Sequence, residues 1–198
     1  MVKSLVLSLL GLAFVHAAAA APAAEPQPAL PEIITGPGWP TLAELNLTSA
    51  QLHAMPPPDE VTRAKARALF ARDKGEQGKC GPVDDAYADV SLIIPCFHYI
   101  RAMADKMYSV IENNSLNGIC AVDKKVAVSV TGQWGVSKIP GSVGRDVALG
   151  LLWIIDHCTR DAKDVAGQQA ANGNGDLLVQ AMRYGYYIDH GGGAFISQ

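Results

Sequence analysis

The sequence has no concentration of positive charge. Its 16 lysines and arginines are scattered among 19 acidic residues, which gives a formal net charge of −3. Nucleic acids and anionic membrane surfaces attract proteins through clustered basic residues. The charge pattern therefore predicts that neither nucleic acid nor an anionic membrane is a partner.

The sequence also lacks an internal apolar run long enough to span a membrane, for which ~20 residues are needed. The only comparable run is N-terminal and shorter: Lys3 precedes the apolar stretch 5–15, and the small residues 17–21 follow. This order is typical of a cleavable signal peptide. We therefore predict a signal peptide over residues 1–21 and a secreted, extracellular protein without stable membrane insertion.

Cysteine is scarce, with only Cys80, Cys96, Cys120 and Cys158. An even number of cysteines in the oxidising secretory pathway predicts two disulfide bonds, which removes all four thiols from catalysis. The spacing matches no zinc-binding pattern, so no metal site is expected. The neighbouring histidines His98 and His157 are interpreted as packed or solvated helix residues.

Catalytic motifs are missing as well. No G-x-S-x-G occurs, and the HGGG string at 190–193 lies at the C-terminus, where a glycine tail is the simpler interpretation than an oxyanion hole. Gly173 and Gly175 lack the third glycine of a dinucleotide fingerprint. An acid pair such as Asp85 with Asp146 has no supporting pattern. We assign no catalytic residue.

Residues 22–74 form a proline-rich segment that predicts an extended arm with short helices. One helix is expected at 41–53, capped by Thr41 with Glu44, and another at 59–73. The boundary with a domain at 75–198 is placed near residue 74. Sequons at Asn46, within the arm, and at Asn113, within the domain, predict glycosylation.

The domain alternates helix-like and strand-like patterns. Apolar residues recur at helical spacing over 84–112, and Pro95 predicts a start or kink near Cys96. A hairpin (119–122 with 126–131), an apolar helix (146–158) and two further strands (165–171 and 177–188, joined by Asn-Gly-Asn-Gly) follow. We predict an α+β fold, with two main helices packed on one face of an antiparallel sheet and stapled by disulfides.

This layout favours one of the three possible disulfide pairings. Two successive helices on a sheet run roughly antiparallel, so Cys96 at the start of the first is expected near Cys158 at the end of the second. Cys96–Cys158 with Cys80–Cys120 is the preferred connectivity, although the sequence alone leaves the other two open.

Exposed aromatic residues are the best candidates for interaction, because aromatic side chains are enriched at binding hot spots. Trp134 lies in a glycine- and serine-containing loop, and Tyr184, Tyr186 and Tyr187 are expected at the end of the last strand. Core packing is the alternative interpretation for each of them.

Three segments together resemble a known group of proteins. They are NGICAV (117–122), DVALGLLWIIDHC (146–158) and VAGQQAANGNGDLLV (165–179), preceded by an arm at 37–55. They resemble small secreted cysteine-containing proteins of filamentous fungi, related to necrosis-inducing factors and small α/β killer toxins. The resemblance implies a non-enzymatic virulence effector without a cofactor, acting on an unknown surface target of a host or competing cell.

Two other functions stay open. A secreted hydrolase, or an inhibitor of one, would assemble its site from loop acids. A cell-wall protein would bind a glycan through Trp39, Trp134 and the tyrosines Tyr184, Tyr186 and Tyr187.

Overall fold

A computed structural model describes residues 29–71, 78–109, 116–132, 141–172 and 174–192. The predicted signal peptide, the boundary near residue 74, Asn113 and Trp134 lie outside these ranges. Within them, no helix has both the length and the apolar character to cross a membrane.

The described residues form ten strands and five α-helices, with one short 3-10 turn at Asp84–Ala86. In chain order they are β1 (Ile33–Thr35), α1 (Ser49–Ala54), α2 (Glu60–Phe70), β2 (Lys79–Cys80), β3 (Ala88–Asp89), α3 (Val90–Ala102), β4 (Met107–Ser109), β5 (Asn117–Val122), β6 (Val126–Gly132), β7 (Gly141–Val143), α4 (Gly144–Cys158), β8 (Asp164–Val165), β9 (Gly167–Ala171), β10 (Asn174–Arg183) and α5 (Tyr184–Asp189).

Six strands form one antiparallel sheet in the order β1-β5-β6-β10-β9-β2. The predicted hairpin is confirmed as β5 and β6, joined by a turn in which Asp123 and Lys124 have φ near +50°. Two residues with positive φ are the signature of the turn that matches strand twist. The second predicted hairpin is confirmed as β9 and β10.

The two main helices cover one face of this sheet, as predicted. Helix α3 contacts β5 and β6, whereas α4 lies on β9 and β10 and contacts α3 and α2. Both helices are apolar toward the sheet, and the core is mainly aliphatic, with Phe97 and Tyr99 of α3 also buried in it. The α+β architecture with two disulfides is therefore confirmed.

Helix α3 begins earlier than expected. Asp89 caps it by accepting a 2.8 Å hydrogen bond from the amide of Ser91, and the helix continues through Pro95. Pro95 is the sixth residue of the helix and cannot donate to the carbonyl of Ser91, but the helix continues on both sides of it. At its other end the helix stops at Ala102, where the pattern predicted an extension to Glu112.

The preferred disulfide pairing was wrong. The bonds are Cys80–Cys158 and Cys96–Cys120. Because α3 starts at Val90, Cys96 lies in mid-helix on the face that packs against the sheet, and its neighbour there is Cys120 of β5. Cys158 ends α4 above the sheet edge, where β2 brings Cys80.

The described part of the proline-rich arm, residues 29–71, is built into the fold. Its β1 is the edge strand beside β5, α1 packs on α3, and α2 packs on α4. The helix expected at 41–53 is divided, because Asn46 adopts φ +53° between a series of turns and α1. Thr41 and Glu44 still form the predicted hydrogen bonds, while Thr48 and Gln51 form the capping box of α1 itself.

Candidate ligand-binding groove

The sheet face opposite α3 and α4 is only partly covered. Helix α5 crosses it in contact with β6 and β10, and its Tyr187 is completely buried in a second apolar cluster with Ile34, Ala121, Ala127 and Met182. Above β9 and β10 the face forms an open groove of about 620 Å³. This volume is in the range of small-molecule sites.

A row of polar side chains set by strand register lies at the floor of the groove, where Gln168 and Gln180 line it and Ser129 is buried beside them. Gln180 of β10 lies directly opposite Ser129 of β6 on one side and Gln168 of β9 on the other. Directly opposed residues in antiparallel strands share a face, with Cβ atoms about 5 Å apart. We call these three residues the polar row.

Hydrogen bonding within the polar row is incomplete. The amide of Gln180 donates from Nε2 to Oε1 of Gln168 at 3.3 Å, a long bond. Among the described residues, Oε1 of Gln180 and Oγ of Ser129 are both enclosed and have no hydrogen-bond partner. Ser129 is 1% exposed. Buried polar atoms without partners are rare in folded proteins and require an explanation.

Tyr186 and His190 of the α5 segment form one wall of the groove. Their rings stack at a centroid distance of 3.9 Å, and Nδ1 of His190 lies 2.9 Å from the carbonyl oxygen of Tyr186. Tyr186 is half-buried and His190 exposed. The wall is therefore a pair of stacked rings held on one helical turn.

The opposite wall is the segment 79–82, which contains β2. Three features attach it: the pairing of β2 with β9, a 3.0 Å hydrogen bond from the amide of Gly81 to Ala166, and the Cys80–Cys158 disulfide. Gly167 allows this close approach, since a Cβ there would lie 2.8 Å from the carbonyl oxygen of Lys79. The disulfide thus fixes the rim of the groove.

Of the predicted interaction residues that the structure describes, only Tyr186 lines the groove. Strand β10 ends at Arg183, so the tyrosines lie on helix α5 and not at the end of a strand, which corrects that expectation. Tyr187 is buried, with its hydroxyl 3.4 Å from the carbonyl oxygen of Leu116, and Tyr184 packs beside the second cluster.

Trp39 is hydrogen-bonded and packed within the fold. Its Nε1 donates a 2.7 Å hydrogen bond to the carbonyl oxygen of Gly118, and its ring packs against the main core. It also lines a smaller cavity of about 360 Å³ between the arm, β4 and β5. Asn46 of the first sequon is exposed at its turn.

The weighed catalytic candidates stay apart. Asp85 pairs with Arg183, whereas Asp146 accepts a 3.4 Å bond from Asn172. His157 stacks on the ring of Trp153. Among the described residues, no group of three histidine, cysteine or acidic side chains could hold a metal ion.

His98 forms a hydrogen bond within the fold. Its Nε2 lies 3.0 Å from the carbonyl oxygen of Pro56, and burial lowers the pKa of the imidazole, opposed by that hydrogen bond. His98 therefore connects α3 to the segment between α1 and α2.

The first residues of the HGGG string pack against α5, which the glycine-tail interpretation did not predict. Gly191 turns the chain with φ +92°, and Gly192 donates a 2.9 Å hydrogen bond to the carbonyl of Tyr187 and bridges to Leu116. A Cβ at Gly192 would lie 2.3 Å from the Tyr187 ring. These glycines pack the chain closely against α5.

Sequence reasoning missed the polar row. The sequence contains one sign of this row. Successive residues of a strand point to opposite faces, and Gln180, between Val179 and Ala181, is a polar residue on the face turned away from the helices. The register that joins Gln180 to Ser129 and Gln168 is visible only in the structure.

The fold and groove define a disulfide-bonded α+β protein with a ligand-sized site on the open face of its sheet. The chain belongs to the family described as Domain of unknown function (DUF8794), whose model matches residues 75–183, more than half of the chain. No curated protein and no solved structure matches it.

Proposed function

We propose that this protein is secreted and acts outside the cell as a non-enzymatic effector or toxin-like protein, which binds a surface component of a host or competing cell through the groove. The N-terminal sequence and the two disulfides support the location. The observation that carries the binding role is the polar row on the floor of an open groove.

The chemistry of the groove supports binding. Its lining contains Gln168, Gln180 and Thr131 beside apolar Leu178. Such groups orient a ligand by hydrogen bonds, and a few polar groups on an apolar lining are typical of recognition sites. The histidine at the rim, His190, stacks on Tyr186 and contacts its carbonyl.

The proposal is tested with the purified, fluorescently labelled protein, after removal of its signal peptide, on plant leaf tissue and on fungal and yeast cells. We expect saturable binding to at least one surface, accompanied by ion leakage or growth arrest. The Gln180→Leu variant should lose both responses. Lys65→Ala, on the exposed face of α2 in the opposite layer, should keep them.

Two results would contradict the proposal. One is surface binding that Gln180→Leu and Lys65→Ala retain equally. The other is turnover of a polysaccharide, protein or ester substrate by the purified protein that a single Asp or His substitution abolishes, which would favour the hydrolase alternative.

A further inference from the structure

We propose that the ligand of the groove is a neutral oligosaccharide, held by hydroxyl groups at the polar row and by a sugar ring against Tyr186. This inference rests on the proposed function, since it names the class of ligand that the same groove binds. Three properties of the groove support it: the chemistry of its floor, the unpartnered atoms beneath it, and the aromatic wall.

The side chains of the floor can form hydrogen bonds with the hydroxyl groups of a sugar. A primary amide offers a donor and an acceptor side by side, and a sugar hydroxyl can accept from one and donate to the other. Gln168 and Gln180 place two such amides abreast on neighbouring strands, and Thr131 adds a hydroxyl one row further along the groove. A cationic ligand would find no carboxylate in the described lining, whose one lysine is Lys79 on the wall formed by β2.

Each of the two unpartnered atoms can form a hydrogen bond that no described group of the protein supplies. Oε1 of Gln180 is an acceptor and the hydroxyl of Ser129 a donor, on directly opposed positions. Both atoms are enclosed, so the Gln180 amide has to rotate to meet a ligand. The 3.3 Å bond from its Nε2 to Gln168 is the one described bond that this rotation breaks. A ligand hydroxyl then supplies the missing partner.

The aromatic wall suits the apolar face of a sugar. The rings of Tyr186 and His190 are stacked at 19°, so each leaves one face uncovered by the other, and both side chains line the groove. An aromatic ring combines a large apolar area with little loss of conformational freedom. A pyranose ring presents C–H groups on one face and hydroxyls at its edge, so it can contact this wall and the polar row together.

An extended peptide is a weaker candidate. Peptides that add to a sheet bind the unpaired amides of an edge strand. At the β9 edge beyond β2, the amide of Ala170 donates a 2.8 Å hydrogen bond to the side chain of its own neighbour, Gln169. This contact occupies a donor that an added strand would need, and the groove itself lies on the face of the sheet.

The test is calorimetric titration of the secreted protein with chitohexaose, laminarihexaose, cellohexaose and xylohexaose. We expect one of these to bind, with about tenfold weaker binding for Ser129→Ala and Gln180→Leu, the loss of one well-placed hydrogen bond. Tyr186→Phe should retain affinity and Tyr186→Ala should lose it. Lys65→Ala is the control on the opposite layer. A deoxy analogue lacking the recognised hydroxyl should bind more weakly than its parent.

Melting temperatures separate recognition from a structural role. Removing an unpartnered buried hydroxyl should leave the melting temperature of Ser129→Ala unchanged or raise it while binding falls. Parallel losses of stability and binding in Ser129→Ala and Gln180→Leu would instead assign the polar row to the fold and overturn the inference.

The surface assay distinguishes this inference from the proposed function. If no oligosaccharide binds, but the labelled protein still binds cells and protease treatment of those cells abolishes binding, the oligosaccharide inference fails and the effector proposal stands. If neither oligosaccharides nor cells bind the protein, both fail. Surface binding lost on periodate oxidation of the cells would support both.

Discussion

Arg63 on α2 donates a hydrogen bond to the carboxylate of Asp156 on α4, whose side chain is only 6% exposed. Arg67, one turn further along α2, lies 3.7 Å from the other carboxylate oxygen. Burial raises the pKa of Asp156, and the positive charges of Arg63 and then Arg67 act in the opposite direction. The arm is therefore attached to the main helix layer through a largely buried charge.

Arg63→Ala should lower the free energy of unfolding at neutral pH by about 2 kcal/mol, because Asp156 loses its hydrogen-bonded counterion. A carboxyl whose pKa is raised in the folded state takes up its proton there first, so this contribution favours the folded state as pH falls. The destabilisation should therefore shrink on acidification. Urea unfolding of Arg63→Ala and wild type at neutral and acidic pH measures it.

The charge of Asp156 is the control for this experiment. The double variant Arg63→Ala with Asp156→Asn has no carboxylate to protonate at this position. The difference in unfolding free energy between it and wild type should therefore not shrink on acidification. An equal penalty for Arg63→Ala at both pH values would refute the role of the buried charge.

The two disulfides should differ in their access to reductant. Cys80 is exposed, whereas Cys96 and Cys120 are both 0% exposed. Mild thiol treatment followed by alkylation and mass spectrometry should label Cys80 and Cys158 in the folded protein. Labelling of Cys96 and Cys120 should require unfolding, and their double serine variant should lose about 3 kcal/mol of stability. Equal labelling of both pairs in the folded protein would contradict this order.

Gly167→Ala should destabilise the rim of the groove. The added Cβ would lie 2.8 Å from the carbonyl oxygen of Lys79 and 2.9 Å from Sγ of Cys158. Overpacking of this kind costs about 1–3 kcal/mol. Gly175→Ala is the matched control, since no heavy atom lies within 4 Å of its Cβ, and its melting temperature should change little. Equal melting temperatures for the two variants would argue against the close contact.

Acidification should weaken the attachment of His98. Burial lowers the pKa of this imidazole below its ordinary value of about 6.5. The unfolded chain then takes up the proton first, so stability falls as pH drops below about 6.5 and continues to fall until the lowered pKa is reached. His98→Gln keeps a donor for Pro56 and does not titrate. Its unfolding free energy should therefore change less over this interval than that of wild type, and identical pH profiles would contradict the prediction.

Local patterns predicted the elements that local forces determine. The turn at Asp123 and Lys124 lies between two β-branched runs, and the apolar helix α4 needs a sheet on one side and other elements on the other. The predicted pair Thr41 and Glu44, in which the Thr41 amide donates a 2.7 Å bond to the Glu44 carboxylate, also lies within a few residues of the chain. These features were correctly predicted because they depend on neighbours in the sequence.

Tertiary contacts determine the features that the sequence did not predict. Residues 184–188 have the composition of a strand, yet they form a helix that buries Tyr187 against β5 and β6. The disulfide pairing followed from where α3 begins, which the sequence placed near Cys96 and the structure places at Val90. The polar row depends on strand register between residues far apart in the chain, so no window of the sequence contains it.

The strand order also constrains when the protein can fold. Of the described strands, the central strand β10 is the last to be synthesised, and β1 cannot pair until β5 follows it. The Cys96–Cys120 bond spans 24 residues and can close on an incomplete chain, whereas Cys80–Cys158 spans 78. Contacts this distant in sequence form slowly. Until β10 pairs with it, one edge of β6 is open, so the sheet is complete only after residue 183 has been synthesised.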